Sequence, residues 1–157
     1  MADIQFVLAS ASVARRNLLL DAGIQPFVCP SNFDEDAVVM SDPRELVQVL
    51  ALGKAQILGC DSVLSIDNVI YGKPESRQEA IDRWRAMRGG SGELLTGYSL
   101  LAPCKEPLVR YRMTRVFFAK ITDEEIEAYI DTGEPMHCAG AFATDGKGSM
   151  FVEKIEG

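Results

Sequence analysis

The sequence predicts an α/β protein built on a mixed β-sheet with flanking helices. Three observations carry that expectation. Short apolar runs of strand length alternate with capped helical segments through the first half of the chain. Two longer strand-like runs then follow one another, and a further capped helix precedes a last apolar segment.

Taken in order, residues 4–9 (IQFVLA) are an apolar run of strand length. Ser12 suits the N-cap of a helix over 12–22, and Gly23 stands where a left-handed residue closes one. Residues 24–29 (IQPFVC) read as a second strand, and Pro26, having no N–H for the ladder, moves it to an edge. Asp42, Pro43 and Glu45 supply the cap, first-turn proline and N3 acid of a helix running through 46–58 (LVQVLALGKAQIL). Residues 60–74 (CDSVLSIDNVIYGKP) predict a hairpin turning on Asp67 and Asn68 and ended by Gly72, Lys73 and Pro74.

Ser76 and Glu79 form a second capping box, for a helix stopped by Gly89 and Gly90. Residues 93–103 (ELLTGYSLLAP) and 107–121 (PLVRYRMTRVFFAKI) are long strands expected to pair. Thr122 and Glu125 open a third capped helix, stopped at Thr132 and Gly133. The glycine-rich residues 139–148 then lead into a final strand over 150–155 (MFVEKI).

At 157 residues with 47% apolar content, one domain or two intimately packed lobes with a true core are expected. The formal charge of −7 argues against binding a nucleic-acid backbone or an anionic membrane, since both need a basic face. A small phosphorylated ligand needs only a few local cations. The cysteines (Cys29, Cys60, Cys104, Cys138) contain no CxxC pair, no signal-peptide pattern precedes them, and no apolar run nears the ~20 residues that span a bilayer. Free thiols in a cytoplasmic protein are the expectation.

Several familiar site patterns fail. The "GKG" at 146–148 has glycine where a P-loop needs a hydroxyl, and no GxGxxG or GxSxG occurs. His137 is the single histidine, and beside Cys138 it makes no zinc-ligand spacing. What remains is a set of charged residues beside turns. Ser10, Ser12, Arg15 and Arg16 lie at a helix N-terminus, where free N–H groups, the helix dipole and guanidinium forks suit a phosphate. A serine cap with solvated arginines accounts for the same residues, but cations in a first helical turn oppose the dipole, and that residual cost favours an anionic ligand.

Glu35 sits in the acidic loop "FDED", Asp61 starts an apolar strand, Lys54 lies on a helix, and Lys73 is held in the rigid turn "YGKP". Singly these read as a solvated acid, a turn-binding acid, a snorkelling lysine and a turn lysine. Together they offer two carboxylates for a divalent cation or a base, and several cations for a polyphosphate: the elements of metal-assisted hydrolysis at phosphorus.

The order of these pieces is recognisable. "LASAS" with two arginines, then "KA", "DSV", "GKP", "LTG", "TDEEIEAYI" with "TGEP", "AGAF" and "GKG" before "FVEKIEG" resemble the Maf family from one end of the chain to the other. The resemblance implies a cytoplasmic nucleoside triphosphate pyrophosphatase, converting NTP and water to NMP and pyrophosphate. It implies an inosine triphosphate pyrophosphatase-like fold with a cleft between two lobes, Mg²⁺ as the divalent cofactor, and a homodimer. By the same resemblance Asp61 is the proton acceptor and Glu35 a second acid at the metal. Lys54 and Lys73 hold phosphate oxygens, and Ser10, Ser12, Arg15 and Arg16 form the N-terminal phosphate motif.

At the family's three specificity positions the chain carries Ala14, Ser62 and Asp145. These match neither the dTTP/UTP-cleaving branch (Arg, Thr, Gln) nor the 7-methylguanosine triphosphate branch, which has Trp at the first position and an acid at the third. Asp145 alone leans toward a base edge that donates hydrogen bonds. Cys138 stands where the family usually has a lysine. The connection from Lys54 to Asp61 is shorter than the family's, as if a loop near 55–60 were missing, and the chain stops short of the usual C-terminal segment. From those losses a second function follows as an expectation: a nucleotide-binding regulator of septum formation and cell division with little or no turnover.

Overall fold

The computed structural model describes residues 6–8, 12–29, 33–34, 37–54, 58–101 and 106–157. Of Phe6, Ala14, Gly53, Lys54 and Leu58 only the backbone is described. The elements are β1 (Phe6–Leu8), α1 (Val13–Asp21), β2 (Pro26–Val28), α2 (Pro43–Lys54), β3 (Leu58–Ile66), β4 (Val69–Tyr71), α3 (Arg77–Met87), β5 (Ser91–Leu100), β6 (Leu108–Phe118), α4 (Asp123–Ile130) and β7 (Val152–Glu156). Among the described residues the strands form one sheet in the order β2-β1-β3-β5-β6-β7, with β4 paired on β3. It is mixed: β1 runs parallel to β2 and β3, whereas β3 with β4 and β6 with β7 are antiparallel. Pro26 does stand on an edge strand, β2.

Local signals explain most boundaries. Ser12 caps α1, and Gly23 follows it at φ +76°. The Asp42 carboxylate accepts from the Arg44 N–H at 2.8 Å at the start of α2. Asp67 and Asn68 both have positive φ, 49° and 63°, and join Ile66 directly to Val69 across a tight hairpin. Thr122 and Glu125 form the full reciprocal box.

Three expectations need correction. The helix expected through residue 58 ends at Lys54, and Leu58 opens β3 opposite Leu8, because a short apolar run fits a helix end and a buried strand equally. Ser76 does accept from the Glu79 N–H at 3.2 Å, but the Glu79 carboxylate reaches past the cap to the Glu75 N–H at 2.7 Å, so the second box is not reciprocal. Met150 and Phe151 belong to a 3-10 turn over Lys147–Phe151, and the last strand starts only at Val152.

The chain divides into two compact units, residues 1–61 with 96–112 and residues 62–95 with 113–157. In the first, Leu8, Leu46, Val47, Leu50 and Ala51 are buried. There α2 rests on β5 at Gly97, where any Cβ would strike the Val47 carbonyl, and the buried Ser99 hydroxyl donates to the Ala51 carbonyl at 2.9 Å. That contact sets the line of α2 and hence the place of its last residue, Lys54. In the second unit Trp84 of α3 is fully buried, with Phe118, Tyr129, Phe142 and Phe151 packed edge-on around it at 5.4–6.1 Å. Its Nε1–H donates to the Ala141 carbonyl at 2.8 Å. Arg77–Asp131, Arg85–Asp123 and Arg88–Asp123 ion pairs tie α3 to the α4 region.

Candidate functional site

In the first unit the site candidates gather at the start of α1 and on β3. The Ser12 hydroxyl accepts from the Arg15 N–H at 3.5 Å, a long cap that leaves Arg15 in the first turn. From there the Arg15 Nη2 lies 4.0 Å from Asp61 Oδ1, and the Asp61 side chain is only 14% exposed. The carboxylate therefore offsets a cation that the helix dipole alone would disfavour. Arg16 is exposed, its N–H bonded to the Ser12 carbonyl at 3.2 Å. The segment thus keeps one arginine against an acid and one toward solvent. Ser62 follows Asp61 on β3, half-buried and on the opposite face. Ser10 and Glu35 lie outside the described residues, as do the side chains of Ala14 and Lys54.

In the second unit Lys73 is exposed on the turn after β4, beside the buried Pro74. The Gly72 carbonyl before it accepts from the Gly140 N–H at 2.9 Å. Gly140 and Ala141 both have positive φ, 69° and 55°, and a Cβ on Gly140 would strike Leu64, so glycine is required where this bend presses on β3. Lys73, Asp145 and Glu134 all lie close enough to act on the thiol of Cys138. Burial first, then Glu134 and Asp145, push that thiol above its ordinary range, while Lys73 opposes them. Cys138 is thus a half-buried thiol, whose Sγ donates to the Glu134 carbonyl at 3.4 Å.

Asp145 is exposed, and the loop it leads is held by a residue to which sequence reasoning assigned no role. The Glu134 carboxylate accepts from the Lys147 N–H at 3.0 Å, the Gly148 N–H at 3.1 Å and the Tyr129 hydroxyl at 2.8 Å. A Cβ on Gly146 would come within 2.5 Å of the same carboxylate. Burial alone would raise the Glu134 carboxyl, but those donors outweigh it and hold it below its ordinary range. Burial and Glu134 together push the Tyr129 hydroxyl upward. The available signal was the acid of "TGEP", placed just after a helix stop and upstream of a glycine-rich run.

Among the described residues Cys29, Cys60 and Cys138 form no disulfide, His137 is exposed in the 3-10 turn Glu134–His137, and no cluster of His, Cys, Asp and Glu could hold a metal ion. No helix among them is long and apolar enough to cross a membrane. The structure thus brings Arg15 to Asp61 in one unit and places Lys73, Asp145 and Glu134 around the Cys138 thiol in the other. A shielded carboxylate beside a guanidinium can hold a proton or a cation, and an exposed lysine on a pinned turn can meet an anion.

The chain is similar to a nucleoside triphosphate pyrophosphatase of Cyanothece sp., 53% identical over 166 residues that cover 98% of this chain and 85% of the relative. It is 51% identical over 168 residues to a protein of the same name from Trichormus variabilis, covering 100% and 85%. Both alignments are longer than this chain, so each relative carries internal residues that it lacks. A solved nucleoside-triphosphatase / dITP/XTP pyrophosphatase from Mycobacterium abscessus aligns at a TM-score of 0.44 and 10% identity over 75% of this chain and 76% of that one, too distant to bear on the site. The family model described as "Maf-like protein" matches residues 5–157, and with relatives above half identity across the whole length, the chain belongs to the Maf family.

Proposed function

We propose that this chain hydrolyses nucleoside triphosphates to the monophosphate and pyrophosphate, clearing surplus or modified nucleotides from the cytoplasmic pool. The observation that carries the reading is Asp61, a carboxylate shielded from solvent and set beside Arg15 at the start of a helix. Family membership and the names of the similar proteins support the same chemistry.

In this reading Asp61 takes the proton of the attacking water. The water oxygen bonds to the α-phosphorus, the bridging bond to the β-phosphate breaks, and pyrophosphate leaves with that electron pair. Ser10, Ser12, Arg15, Arg16, Lys54 and Lys73 hold phosphate oxygens, as hydroxyl donors, guanidinium forks and ammonium charges. Ala14, Ser62 and Asp145 stand where the base is chosen.

Mg²⁺ fits this donor set, because it is held through one or two carboxylates together with substrate phosphates and needs no all-protein cage. Asp61 and Glu35 would supply the carboxylates, and the ion when bound offsets triphosphate charge in an acidic protein. The internal residues missing relative to the similar proteins are proposed to fall in the Lys54–Asp61 connection, near residues 55–60. The active species is taken as a homodimer, which light scattering would report as twice the chain mass.

The test is a panel of ordinary and modified NTPs with Mg²⁺, scored for pyrophosphate and orthophosphate. Pyrophosphate with NMP is expected. Orthophosphate without pyrophosphate sinks the chemistry, and tight NTP binding without turnover favours the regulator of septum formation.

A further inference from the structure

Lys73 makes no side-chain hydrogen bond or ion pair with the described residues, yet the turn that carries it is fastened on both sides to α3. On its N-terminal side the Gly72 carbonyl accepts from Arg83 Nη1 at 2.6 Å as well as from the Gly140 N–H, so both its lone pairs are used. On its C-terminal side the Glu75 N–H donates to Glu79 Oε2 at 2.7 Å. Glu79 and Arg83 are themselves an ion pair one helical turn apart, joined through Nη2 and Oε1. The Arg83 guanidinium also lies 5.5 Å from the Tyr71 ring centroid, and its side chain is only 13% exposed.

One pair of side chains therefore grips residues 72 and 75, the two neighbours of the Lys73–Pro74 step. An ordinary i,i+4 surface pair would do none of this: it would brace α3 weakly and stay in solvent. Here the guanidinium fork divides its donors between a carboxylate on its own helix and a carbonyl on another element. Lysine, with a single ammonium, has no such planar fork.

The geometry points to Arg83, backed by Glu79, as the positioning residue that aims Lys73 at the substrate's phosphates. The inference rests on the proposed phosphate role of Lys73. The Arg83 guanidinium is committed to the Glu79 carboxylate and the Gly72 carbonyl, so on this inference its effect on turnover passes through Lys73.

That dependence is what a double-mutant cycle reads. Lys73→Ala is expected to lower kcat/KM for pyrophosphate release by roughly 10- to 100-fold, the value of a charge-assisted contact. Arg83→Met should lose roughly 3- to 30-fold alone and nothing further in the Lys73→Ala background, because interacting residues are non-additive. Arg83→Lys should resemble Arg83→Met despite keeping the charge. Arg77→Gln, which releases a different α3 arginine from Asp131, should leave turnover unchanged. If Arg83→Met does not fold, Glu79→Gln asks the same question, since its amide oxygen can still accept from the Glu75 N–H while Arg83 loses its charged partner. Losses that multiply across the cycle, or an Arg83→Lys enzyme as active as wild type, overturn the inference. No turnover by the wild-type chain, or full turnover by Lys73→Ala, overturns instead the reading on which it rests.

Discussion

Replacing Glu134 by alanine removes one carboxylate from three donors at once. Two of them belong to buried residues, Tyr129 and Gly148, and a buried donor left without an acceptor costs about 1–3 kcal/mol. The third, the N–H of exposed Lys147, can turn to water at little cost. The expected loss for Glu134→Ala is thus about 2–5 kcal/mol, and for Glu134→Gln, which keeps a neutral oxygen, about 1–2 kcal/mol. In a chain of this size those losses lower Tm by roughly 5–15 °C and 2–6 °C, read by thermal denaturation at neutral pH. The pH dependence has a definite sign. Because the folded carboxyl is held below its ordinary 4.5, its contribution is complete above that value and is lost as pH falls through the lower folded value. The gap between wild type and Glu134→Gln should therefore close on acidification. An unchanged Tm for Glu134→Ala, or a gap that widens below pH 4.5, refutes the clamp.

Other expectations follow from single contacts. Gly97→Ala forces α2 away from β5 against the Val47 backbone and should cost about 1–3 kcal/mol by denaturant unfolding. Trp84→Ala empties the aromatic cluster and strands the Ala141 carbonyl; a loss of about 3–5 kcal/mol is expected by the same measurement. Thr122→Ala opens the reciprocal cap of α4 and should lower stability by about 0.5–2 kcal/mol, whereas Ser76→Ala should leave the Glu79–Glu75 bond intact and cost less. Asp145→Asn should alter the ratio of turnover among NTPs more than its sum, which the substrate panel would show.

Features written in adjacent residues were the legible ones. Ser12 and Gly23 bracket α1, Asp67 and Asn68 turn the β3–β4 hairpin, and Thr122 with Glu125 opens α4, because each is a local bond between residues three or fewer apart, or a single φ preference. Where two structures compete for one apolar run, as at the passage from α2 to β3, composition does not decide and the strand's partner Leu8 does. The site was legible as a set of residue types, and in its order through resemblance. Its geometry was not, since nothing in the spacing of Arg15 and Asp61 says that they meet. Glu134 and Arg83 stayed hidden for a common reason. The contacts that tie them to another segment of chain include backbone groups, the amides of Lys147 and Gly148 and the carbonyl of Gly72, which every residue carries and no residue type announces.

In the proposed reaction Asp61 drives release of pyrophosphate from a nucleoside triphosphate. The most direct measurement of that role compares wild type with Asp61→Asn on the best NTP of the panel, with Mg²⁺, at saturating substrate. Wild type should give equimolar NMP and pyrophosphate, and the variant a kcat lowered roughly 10²–10⁴-fold, as removal of a general base requires. A variant that turns over at the wild-type rate and differs only in KM would contradict that role.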